Sequence, residues 1–461
     1  MGGMSEDGRK PLSEYSEEEL MAELARRAAQ RLPEQDGYEA ELQLEQQGRQ
    51  FNYERYEAYL RRLQQRERKR RSAPCPRCGK PVGVRRKAVR RTVQSLWGEH
   101  HIERNYHYCS RCRHGFYPLD EQLQLAERGE ESRLLGERML EMAVKDGSYQ
   151  EAASSFRLHY GRAVSERWMR KVVQRAGQAA EQMGPEQLRA QLAPCRKQPE
   201  PSRLLVVELD GSMVPVRDDP KERFKEVKVA VLYRAEQLLA GAAGRQRGCI
   251  ERASYVARLD FPAFRQELDA TLKQQRCEQA EQLAVLGDGA SWIWKWAEQR
   301  LPQAEQVLDY YHAREHLRQT AERLFGTAAH PCKRLFLEQG ERLLLQGQVN
   351  ELLEQLREAQ QHASVGEAAA LGELIGYYER NAQRMDYRRY RQRGIPIGSG
   401  TVESAHRHVV KRRLRQAGQR WSCRKADQMA QLRALRSTAG PERFARCLRA
   451  APARAQLPLA A

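Results

Sequence analysis

Residues 204 to 212 have the sequence Leu-Leu-Val-Val-Glu-Leu-Asp-Gly-Ser, and this stretch decides the fold that we expect. An almost continuous apolar run of this length, closed by Asp-Gly, is typical of a strand buried on both faces. Asp210 then lies where the strand is expected to leave the core, a position suited to a rigidly held, metal-binding carboxylate. Asp-Gly is also a common turn pair, so this stretch alone leaves a simple turn aspartate as the alternative.

Two further apolar stretches end on an aspartate in the same way. Residues 283 to 287 lead to Asp288, and residues 304 to 308 lead to Asp309. A Gly- and Pro-rich loop at 394–400 then precedes a helix that carries Glu403. The order of three strands, helix, strand, helix, strand and late helix predicts an α/β ribonuclease H-like catalytic domain over 200–312 and 394–440, with a helical insertion at 313–393.

Three acidic side chains are expected to meet in this fold. Its first and fourth strands are neighbours, so Asp210 and Asp288 would face each other, and Glu403 would join them from the late helix. Carboxylates brought together repel one another unless divalent cations neutralise them, and hard oxygen ligands select Mg²⁺ or Mn²⁺. Two such ions activate a nucleophile and stabilise the leaving oxygen in phosphodiester cleavage. Asp309 also ends a strand and is the alternative to Asp288 as the second ligand.

At these residues the chain resembles the DDE transposases of the Mutator-like and ISKra-type bacterial insertion-sequence group. The matching pieces are Val-Glu-Leu-Asp210-Gly, Leu-Gly-Asp288-Gly-Ala, Asp309-Tyr-Tyr-His312 and Gly-Ile-Pro-Ile-Gly-Ser-Gly-Thr-Val-Glu403-Ser. The resemblance, which covers roughly residues 130 to 440, implies a catalytic triad of Asp210, Asp288 and Glu403 that binds two Mg²⁺ ions. It implies that Asp309 and His312 support the site, with a packed histidine as the alternative for His312.

The same resemblance implies what the protein acts on. The partner would be double-stranded DNA, both the terminal inverted repeats of an element and its target, with a homodimer or higher assembly forming on it. Water would cut the element's end, and the freed 3′-hydroxyl would attack target DNA. A non-catalytic DNA-binding protein and a non-transposing ribonuclease H-like nuclease are the two alternatives that the sequence leaves open.

A second motif lies in the N-terminal part of the chain. Cys75-Pro-Arg-Cys78 and Cys109-Ser-Arg-Cys112 are two Cys-x-x-Cys pairs, and two such knuckles close a tetrahedral zinc site. Strands at 91–96 and 101–108 are expected to form a hairpin between them, so residues 72–120 are predicted to be a zinc ribbon. Its many Arg and Lys residues suit nucleic acid. Residues 1–71 are predicted to be a helical, basic region, in which Pro33 and Gly37 separate two helices.

Residues 130–184 are predicted to be helical, with Ser148 and Ser165 as N-caps. Two of the helices resemble a helix-turn-helix, although a plain helical linker is the alternative. DNA contacts are expected from two basic clusters, the first near the start of the recognition helix and the second after Glu403, where a solvated charged face is the alternative: Arg167, Arg170 and Lys171, then Arg407, Lys411, Arg412, Arg413 and Arg415. Trp292, Trp294 and Trp296 are predicted to be core or insertion contacts.

Composition supports a polyanionic partner. The chain has 461 residues, with 80 Lys and Arg against 61 Asp and Glu, and its formal net charge is +19. No apolar run is long enough to span a membrane, so a cytoplasmic, nucleoid-associated protein is expected. The prolines of residues 185–203 indicate the main domain boundary, and residues 441–461 are predicted to be a tail.

Overall fold

The computed structural model describes residues 15–32, 36–125, 129–193, 201–219, 221–239, 249–250 and 252–449. The chain divides into two units, the first ending at Gly136 and the second beginning at Glu137. Within the described ranges, no helix combines the length and the apolar character needed to cross a membrane. Residues 1–14, Pro33 and residues 450–461, on which some of the sequence predictions fall, lie outside these ranges.

The first unit combines helices with an antiparallel sheet. In chain order its elements are α1 (Glu17–Ala29), α2 (Gly37–Lys69), β1 (Ser72–Pro74), β2 (Pro81–Gln94), β3 (Glu99–Cys109), β4 (His114–Phe116) and α3 (Pro118–Gln122). The four strands lie in the order β1-β2-β3-β4, and each pairs antiparallel with the next. The hairpin predicted between the two cysteine pairs is therefore confirmed as β2 and β3, which are longer than expected.

The core of this unit lies between α2 and the hairpin. Leu60 and Leu63 of α2 are three residues apart on one helical face, and they pack against Val93, Ile102 and Leu119. Helix α1 has three acidic residues, Glu17–Glu19, in its first turn. It begins with a capping box, in which Ser16 and Glu19 hydrogen-bond each other's backbone N–H.

The second unit opens with four helices. They are α4, which begins before the unit boundary, and the three that follow it: α4 (Arg133–Lys145), α5 (Tyr149–Tyr160), α6 (Glu166–Met183) and α7 (Pro185–Leu192). Both predicted N-caps are confirmed, because Ser148 accepts the Glu151 N–H and Ser165 accepts the Trp168 N–H. Gly161, at φ 58°, ends α5 in the left-handed conformation that glycine adopts without strain.

The structure divides the chain elsewhere than the prolines indicated. Instead of a break at Pro185, α7 begins there, because proline fits the first position of a helix. Leu188 and Leu192 of α7 are buried in the second unit. The helices up to Met183 therefore belong to the same unit as the large sheet, and residues 194–200 lie outside the described ranges.

A five-stranded sheet forms the centre of the second unit. Its elements are β5 (Leu204–Pro215), β6 (Phe224–Arg234), β7 (Leu238–Leu239), β8 (Cys249–Ile250), β9 (Ser254–Arg258), α8 (Phe261–Gln274), β10 (Gln282–Gly287), α9 (Ser291–Arg300) and β11 (Glu305–Leu308). The strand order is β11-β10-β5-β6-β9, and β7 pairs only with β8. β10 runs parallel to β5 and β11, whereas β6 is antiparallel to β5 and β9.

The prediction that β5 ends at Asp210 was wrong. The strand continues through Asp210-Gly211 to Pro215, because β6 pairs with it along this whole length. The strand that ends beside Asp210 is β10, the neighbour of β5 on its other side, because its last residue, Gly287, pairs with Leu209. Asp210 is consequently half-buried, whereas the residues before it are fully enclosed.

The remaining elements are helical. The predicted insertion comprises α10 (Tyr310–Phe325), α11 (Pro331–Leu345), α12 (Val349–Gln361), α13 (Val365–Asn381) and α14 (Tyr387–Gln392). After the glycine-rich loop come α15 (Gly400–Ala405), a π-helical segment (His406–Lys411), α16 (Arg412–Leu414), α17 (Cys423–Ala439) and α18 (Pro441–Arg449). The predicted tail is thus partly wrong, since Phe444 and Leu448 bury one face of α18.

The three tryptophans of α9 lie largely inside the second unit, as predicted. Trp294 and Trp296 are buried, and the guanidinium of Arg384, which follows the insertion helix α13, stacks 4.7 Å from the ring centre of Trp294. Trp292 is half-buried and meets Phe264 edge-on.

Candidate functional site

The two aspartates at the centre of the sequence prediction lie on adjacent strands, Asp210 within β5 and Asp288 directly after the end of β10. β5 and β10 are parallel, and their last pair is Leu209 with Gly287, so Asp210 and Asp288 come next on adjacent strands. The backbone N–H of Gly211 donates to Asp210 Oδ1 at 2.6 Å, and the N–H of Ala290 donates to Asp288 Oδ1 at 2.9 Å. Each carboxylate is therefore oriented by its own local backbone.

Electrostatics indicate that these two carboxylates interact. Burial raises the pKa of Asp288, the negative charge of Asp210 raises it further, and the nearby His312 opposes the rise. Tyr377, on the insertion helix α13, donates its hydroxyl to the backbone carbonyl of Asp288 at 3.1 Å. The ring of Tyr377 packs on His316, with centroids 3.9 Å apart. The insertion thus holds the Asp288 turn in place.

The helix that carries Glu403 docks on β5 through two contacts. The backbone N–H of Val402 donates to Glu208 Oε2 at 2.8 Å. Four residues later, His406 Nε2 lies 2.9 Å from Asp210 Oδ2. Glu208 and Asp210 are two residues apart and share one face of the strand. Glu403 therefore lies, in sequence, between the two points at which its helix touches the strand.

Glu208 is a buried carboxylate that the sequence prediction did not use. It is 1% exposed, and the hydroxyl of Tyr233 donates to its Oε1 at 2.7 Å. Burial raises the pKa of Glu208 to about 7, although hydrogen bonds from Tyr233, Val402 and Thr401 counteract this rise. Its compensating donors come from the neighbouring strand β6 and from the first turn of α15.

The carboxylate of Glu403 does not meet the two aspartates in this structure. Its side chain is 63% exposed and pairs with Arg407 at 2.6 Å. In the described part of the chain, only a cysteine cluster brings three or more potential metal ligands within 4.8 Å of one another. The structure thus places Asp210 and Asp288 next to each other on adjacent strands and the Glu403 helix on β5, but it does not bring the Glu403 carboxylate to the two aspartates.

Both carboxylate oxygens of Asp309 accept hydrogen bonds from other groups of the protein. Its Oδ1 accepts the N–H groups of Tyr311 and His312, at 2.6 and 3.3 Å, and so caps α10. Its Oδ2 accepts the N–H of Ser399 at 3.0 Å and also the Ser399 hydroxyl. Asp309 therefore ties the start of the insertion to the glycine-rich loop. His312 is exposed, so the packed-histidine alternative does not describe it.

The loop before Glu403 is held close to α10. Its Ile397 carbonyl accepts the Tyr310 N–H at 2.8 Å. A Cβ atom at Gly398 would lie 2.6 Å from the ring of Tyr311, so a larger residue there would displace this exposed tyrosine ring. These contacts fix the position from which α15 begins.

The helix after Glu403 contains a π-helical segment, His406–Lys411, which begins at the residue that contacts Asp210. π-helical segments inside α-helices are frequent at functional sites. Arg433 of α17 is buried beneath it and donates to the carbonyls of His408 and Val409, the latter at 2.8 Å. This side chain satisfies backbone groups that the irregular helix does not pair internally.

The basic residues predicted to contact DNA differ in exposure. All three on α6 and four of the five after Glu403 are exposed: Arg167, Arg170, Lys171, Arg407, Lys411, Arg412 and Arg415. Arg413 is the exception, because it is 1% exposed and its guanidinium lies over Tyr149 and Trp421, 4.3 and 5.6 Å from their ring centres. The prediction that Arg413 reaches a phosphate was wrong for this reason.

The first unit contains the cysteine cluster. The sulfur atoms of Cys75, Cys78, Cys109 and Cys112 all lie within 4.8 Å of one another. Cys75 and Cys109 are buried, and the other two are half-buried. The crowded thiols raise the pKa of Cys112 to about 12, with Cys78 contributing most. A cation that binds thiolates favours the deprotonated form of these cysteines and so opposes the rise in pKa. The cluster therefore fits a metal ion such as zinc.

Two residues at the acidic site were missed by sequence reasoning. Glu208 interrupts an otherwise apolar run, and a carboxylate on a strand buried on both faces is itself a signal that a donor lies opposite. His406 follows Glu403 by three residues, a spacing that places two side chains on neighbouring parts of a helix surface. The π-helical segment that begins at His406 leaves no comparable sequence signal.

Comparison with known proteins gives a family but no activity. No curated protein sequence matches the chain at a significant level. A model described as "Uncharacterised protein family (UPF0236)" matches residues 77–448, which include Asp210, Asp288, Glu403 and three of the four clustered cysteines. Because the match covers most of the chain, the protein belongs to the uncharacterised protein family UPF0236.

Proposed function

We propose that the protein is a DDE transposase that cleaves and joins DNA strands with the help of divalent cations. One observation carries the proposal: Asp210 and Asp288 follow paired positions on adjacent parallel strands, and the helix carrying Glu403 docks on the first of these strands. Carboxylates next to each other on adjacent strands form an arrangement that a hard cation stabilises. The resemblance of the motifs around these acids to DDE transposases supplies the reaction class.

The sheet supports a ribonuclease H-like assignment for the catalytic domain. In chain order, the first strand lies at the centre, the second and third extend the sheet antiparallel on one side, and the fourth and fifth extend it parallel on the other. The first and fourth strands, β5 and β10, are neighbours as the sequence predicted. The helical insertion and the Glu403 helix then follow in the order that this assignment requires.

The acids have distinct roles in the proposed reaction. Asp210 and Asp288 would hold Mg²⁺ or Mn²⁺, and Glu403 would join them on exchanging Arg407 for the cation. When bound, the metal ions lower the pKa of water and stabilise charge on the departing oxygen. The remaining task of the chain is to position the phosphodiester and the attacking hydroxyl, and positioning of this kind contributes much of the rate in phosphoryl transfer.

A row of cations leads away from Glu403 along the same helix. Arg407 and Lys411 follow Glu403 at four-residue intervals within this helix, Arg415 comes directly after its end at Leu414, and all three are exposed. Residues four apart lie near one side of a helix. We propose that this row contacts successive phosphates of the DNA strand that enters the acidic site.

The helices before the sheet offer a second DNA contact. Arg167, Arg170 and Lys171 are exposed in the first turns of α6, which follows α5 after a short turn containing Gly161. We propose that α6 lies in the major groove as the second helix of a helix-turn-helix does. Arg170 also lies over Tyr149, 5.3 Å from its ring centre, which restrains its side chain.

The first unit offers a third contact. We propose that its cysteine cluster binds zinc and that the fold is a zinc ribbon, because two knuckles flank the antiparallel hairpin. Two extra residues bulge from β2 between Val84 and Val89, where Ala88 adopts φ 53°. Arg85, Arg86 and Lys87 are exposed on this bulge. Bulges redirect side chains from a strand, so these cations suit contacts to a DNA backbone.

The test is metal-dependent cleavage of DNA by the full chain. A plasmid carrying the DNA that flanks the gene is incubated with purified protein in Mg²⁺, in Mn²⁺ and in chelator. We expect strand breaks at the element ends and strand-transfer products in the presence of metal only. Cleavage without joined products would indicate a nuclease, and intact DNA in every condition would contradict the proposal.

A non-catalytic DNA-binding protein is the second candidate. The observation in its favour is that Glu403 is exposed and pairs with Arg407 rather than with the aspartate pair. Under this candidate, DNA binding by the basic residues persists, whereas cleavage stays absent with any divalent metal. The same assay therefore separates the two candidates.

A further inference from the structure

We propose that Glu208 is a positioning residue that sets the Glu403 helix against the strand carrying Asp210. This inference rests on the proposed function, since it concerns the assembly of the same acidic site. It adds a fourth carboxylate, one that holds the protein backbone and binds no metal.

The surroundings of Glu208 show what it contacts. Both of its oxygens accept hydrogen bonds within the protein, Oε1 from the Tyr233 hydroxyl at 2.7 Å and Oε2 from the Val402 N–H at 2.8 Å. The neighbouring Thr401 side chain also lowers the pKa of Glu208. With both oxygens hydrogen-bonded inside the protein and 1% exposure, the carboxylate of Glu208 is enclosed by protein groups, unlike the half-buried Asp210.

The Glu403 helix offsets part of the cost of burying Glu208. A charged or polar group inside a core is unfavourable unless it is hydrogen-bonded. One of the two hydrogen bonds to Glu208 comes from the Val402 N–H in the first turn of α15, and the neighbouring Thr401 lowers the pKa of the carboxylate. Displacement of α15 would leave the carboxylate with Tyr233 alone. Glu208 therefore favours the docked position of this helix over any other.

Geometry explains why this docking concerns Glu403. Val402 and His406 are four residues apart, and both face β5, where they contact Glu208 and Asp210. Contacts at two points fix the position of the helix along the strand and its rotation about its own axis. Glu403 follows Val402 directly and so projects beside this contact line, toward the side of the helix on which Arg407 also lies.

Different substitutions separate a positioning role from the alternatives. In Glu208→Gln, the amide oxygen accepts the Val402 N–H, and the amide nitrogen donates to the Tyr233 oxygen, so the docking contact survives without the charge. Glu208→Ala removes both the docking contact and the charge. Thr401→Val removes one hydroxyl and retains the side-chain shape. The matched control is Glu267→Ala. Glu267 lies on α8 rather than in the sheet, is also 1% exposed, and accepts a hydrogen bond from Gln431 of α17.

The first readout is hydrogen exchange of the protein without metal or DNA. Glu208→Ala should speed exchange in peptides covering Gly400–Ala405, while Glu208→Gln stays near wild type and Glu267→Ala leaves these peptides unchanged. Faster exchange spread evenly over the sheet would mean general destabilisation and would overturn the inference. Unchanged exchange at Gly400–Ala405 in Glu208→Ala would overturn it as well.

The second readout is the Mn²⁺ concentration that gives half-maximal cleavage. Loss of a hydrogen bond to a charged group is expected to raise this concentration about tenfold in Glu208→Ala, and less in Thr401→Val. Glu208→Gln should stay within about threefold of wild type, because its contacts persist. A Glu208→Gln protein as impaired as Glu208→Ala would show that the charge itself is needed, which contradicts a positioning role.

These outcomes distinguish the inference from the proposed function. Wild-type protein that never cleaves DNA would contradict the transposase proposal, while the exchange experiment would still report on Glu208. Wild-type protein that cleaves, with Glu208→Ala indistinguishable from it in both readouts, would contradict the inference alone. If Glu208→Ala does not fold, Thr401→Val and Glu208→Gln decide the question.

Discussion

His406 Nε2 lies 2.9 Å from Asp210 Oδ2, and through this contact the helix bearing Glu403 touches the first acid of the sheet. Both ring nitrogens of His406 are enclosed, since the side chain is 4% exposed. The other oxygen of Asp210 is held by the N–H of Gly211. Asp210 is thus approached from two sides, by a hydrogen bond from its own backbone and by the His406 imidazole at ion-pair distance.

Replacement of His406 should weaken the site without abolishing it. In His406→Ala we expect cleavage to fall about tenfold, because Asp210 loses one of its two orienting contacts but retains its charge. Cleavage rates at saturating Mn²⁺ provide the measurement. His408→Ala is the control, since His408 is on the same segment but meets Tyr255 rather than an acid. Equal losses in the two variants would argue against a specific role for His406.

Asp309 and Asp288 should respond differently to the same change. Asp288→Asn removes a proposed metal ligand, so we expect no detectable cleavage. Asp309→Asn keeps an oxygen that can cap α10 but loses the acceptor for Ser399, so we expect about a tenfold decrease. Ser399→Ala, which removes only the hydroxyl, should cause a smaller decrease. Complete loss in Asp309→Asn with activity remaining in Asp288→Asn would make Asp309 the second ligand.

Arg412 and Arg413 are adjacent yet should have opposite effects. Arg413→Gln removes the donor to the Gly147 carbonyl and the guanidinium over the rings of Tyr149 and Trp421, so we expect a loss of about 1–2 kcal/mol in the free energy of unfolding. Arg412→Gln should leave stability unchanged and reduce the salt dependence of DNA binding by about 0.9 in logarithmic slope. Thermal denaturation and salt titrations measure both. A stable Arg413→Gln protein with a reduced slope would reverse this assignment.

The cysteine cluster should contain zinc that stabilises the first unit. We expect one ion per chain by elemental analysis, and loss of it in Cys109→Ser, because the four sulfurs form one ligand set. Chelation should increase hydrogen exchange around β1 and β4, where Ala73 and Phe116 pack beside the cysteines. Cys332→Ser is the control, since Cys332 is exposed and lies outside the cluster. Zinc retained in Cys109→Ser would contradict the proposed site.

Local patterns in the sequence predicted much of the fold. Ser148 and Ser165 predicted the starts of α5 and α6, because a serine hydroxyl can accept a backbone N–H that is otherwise unpaired at a helix start. The apolar runs before Asp210 and Asp288 predicted two buried strands, and the two strands pair as expected. Each of these features depends on residues close in sequence or on one regular periodicity.

The features that sequence reasoning missed depend on distant residues. Glu208 and Val402 are 194 positions apart, and nothing in either local sequence shows that they meet. Arg413 lies in a run of basic residues typical of a solvated surface, but it follows the buried Val409 and Val410 at helical spacing and lies on the same buried side. The tertiary environment of these side chains therefore overrode their local character.

The most direct test of the central claim compares Asp210→Asn with wild type in Mg²⁺-dependent cleavage of the plasmid that carries the flanking DNA. Asp269→Asn is the control, because Asp269 pairs with Arg300 on the surface and lies outside the acidic site. We predict that Asp210→Asn binds this DNA as tightly as wild type and produces no strand breaks, while Asp269→Asn cleaves normally. Metal-dependent breaks that persist in Asp210→Asn at the wild-type rate would contradict the account.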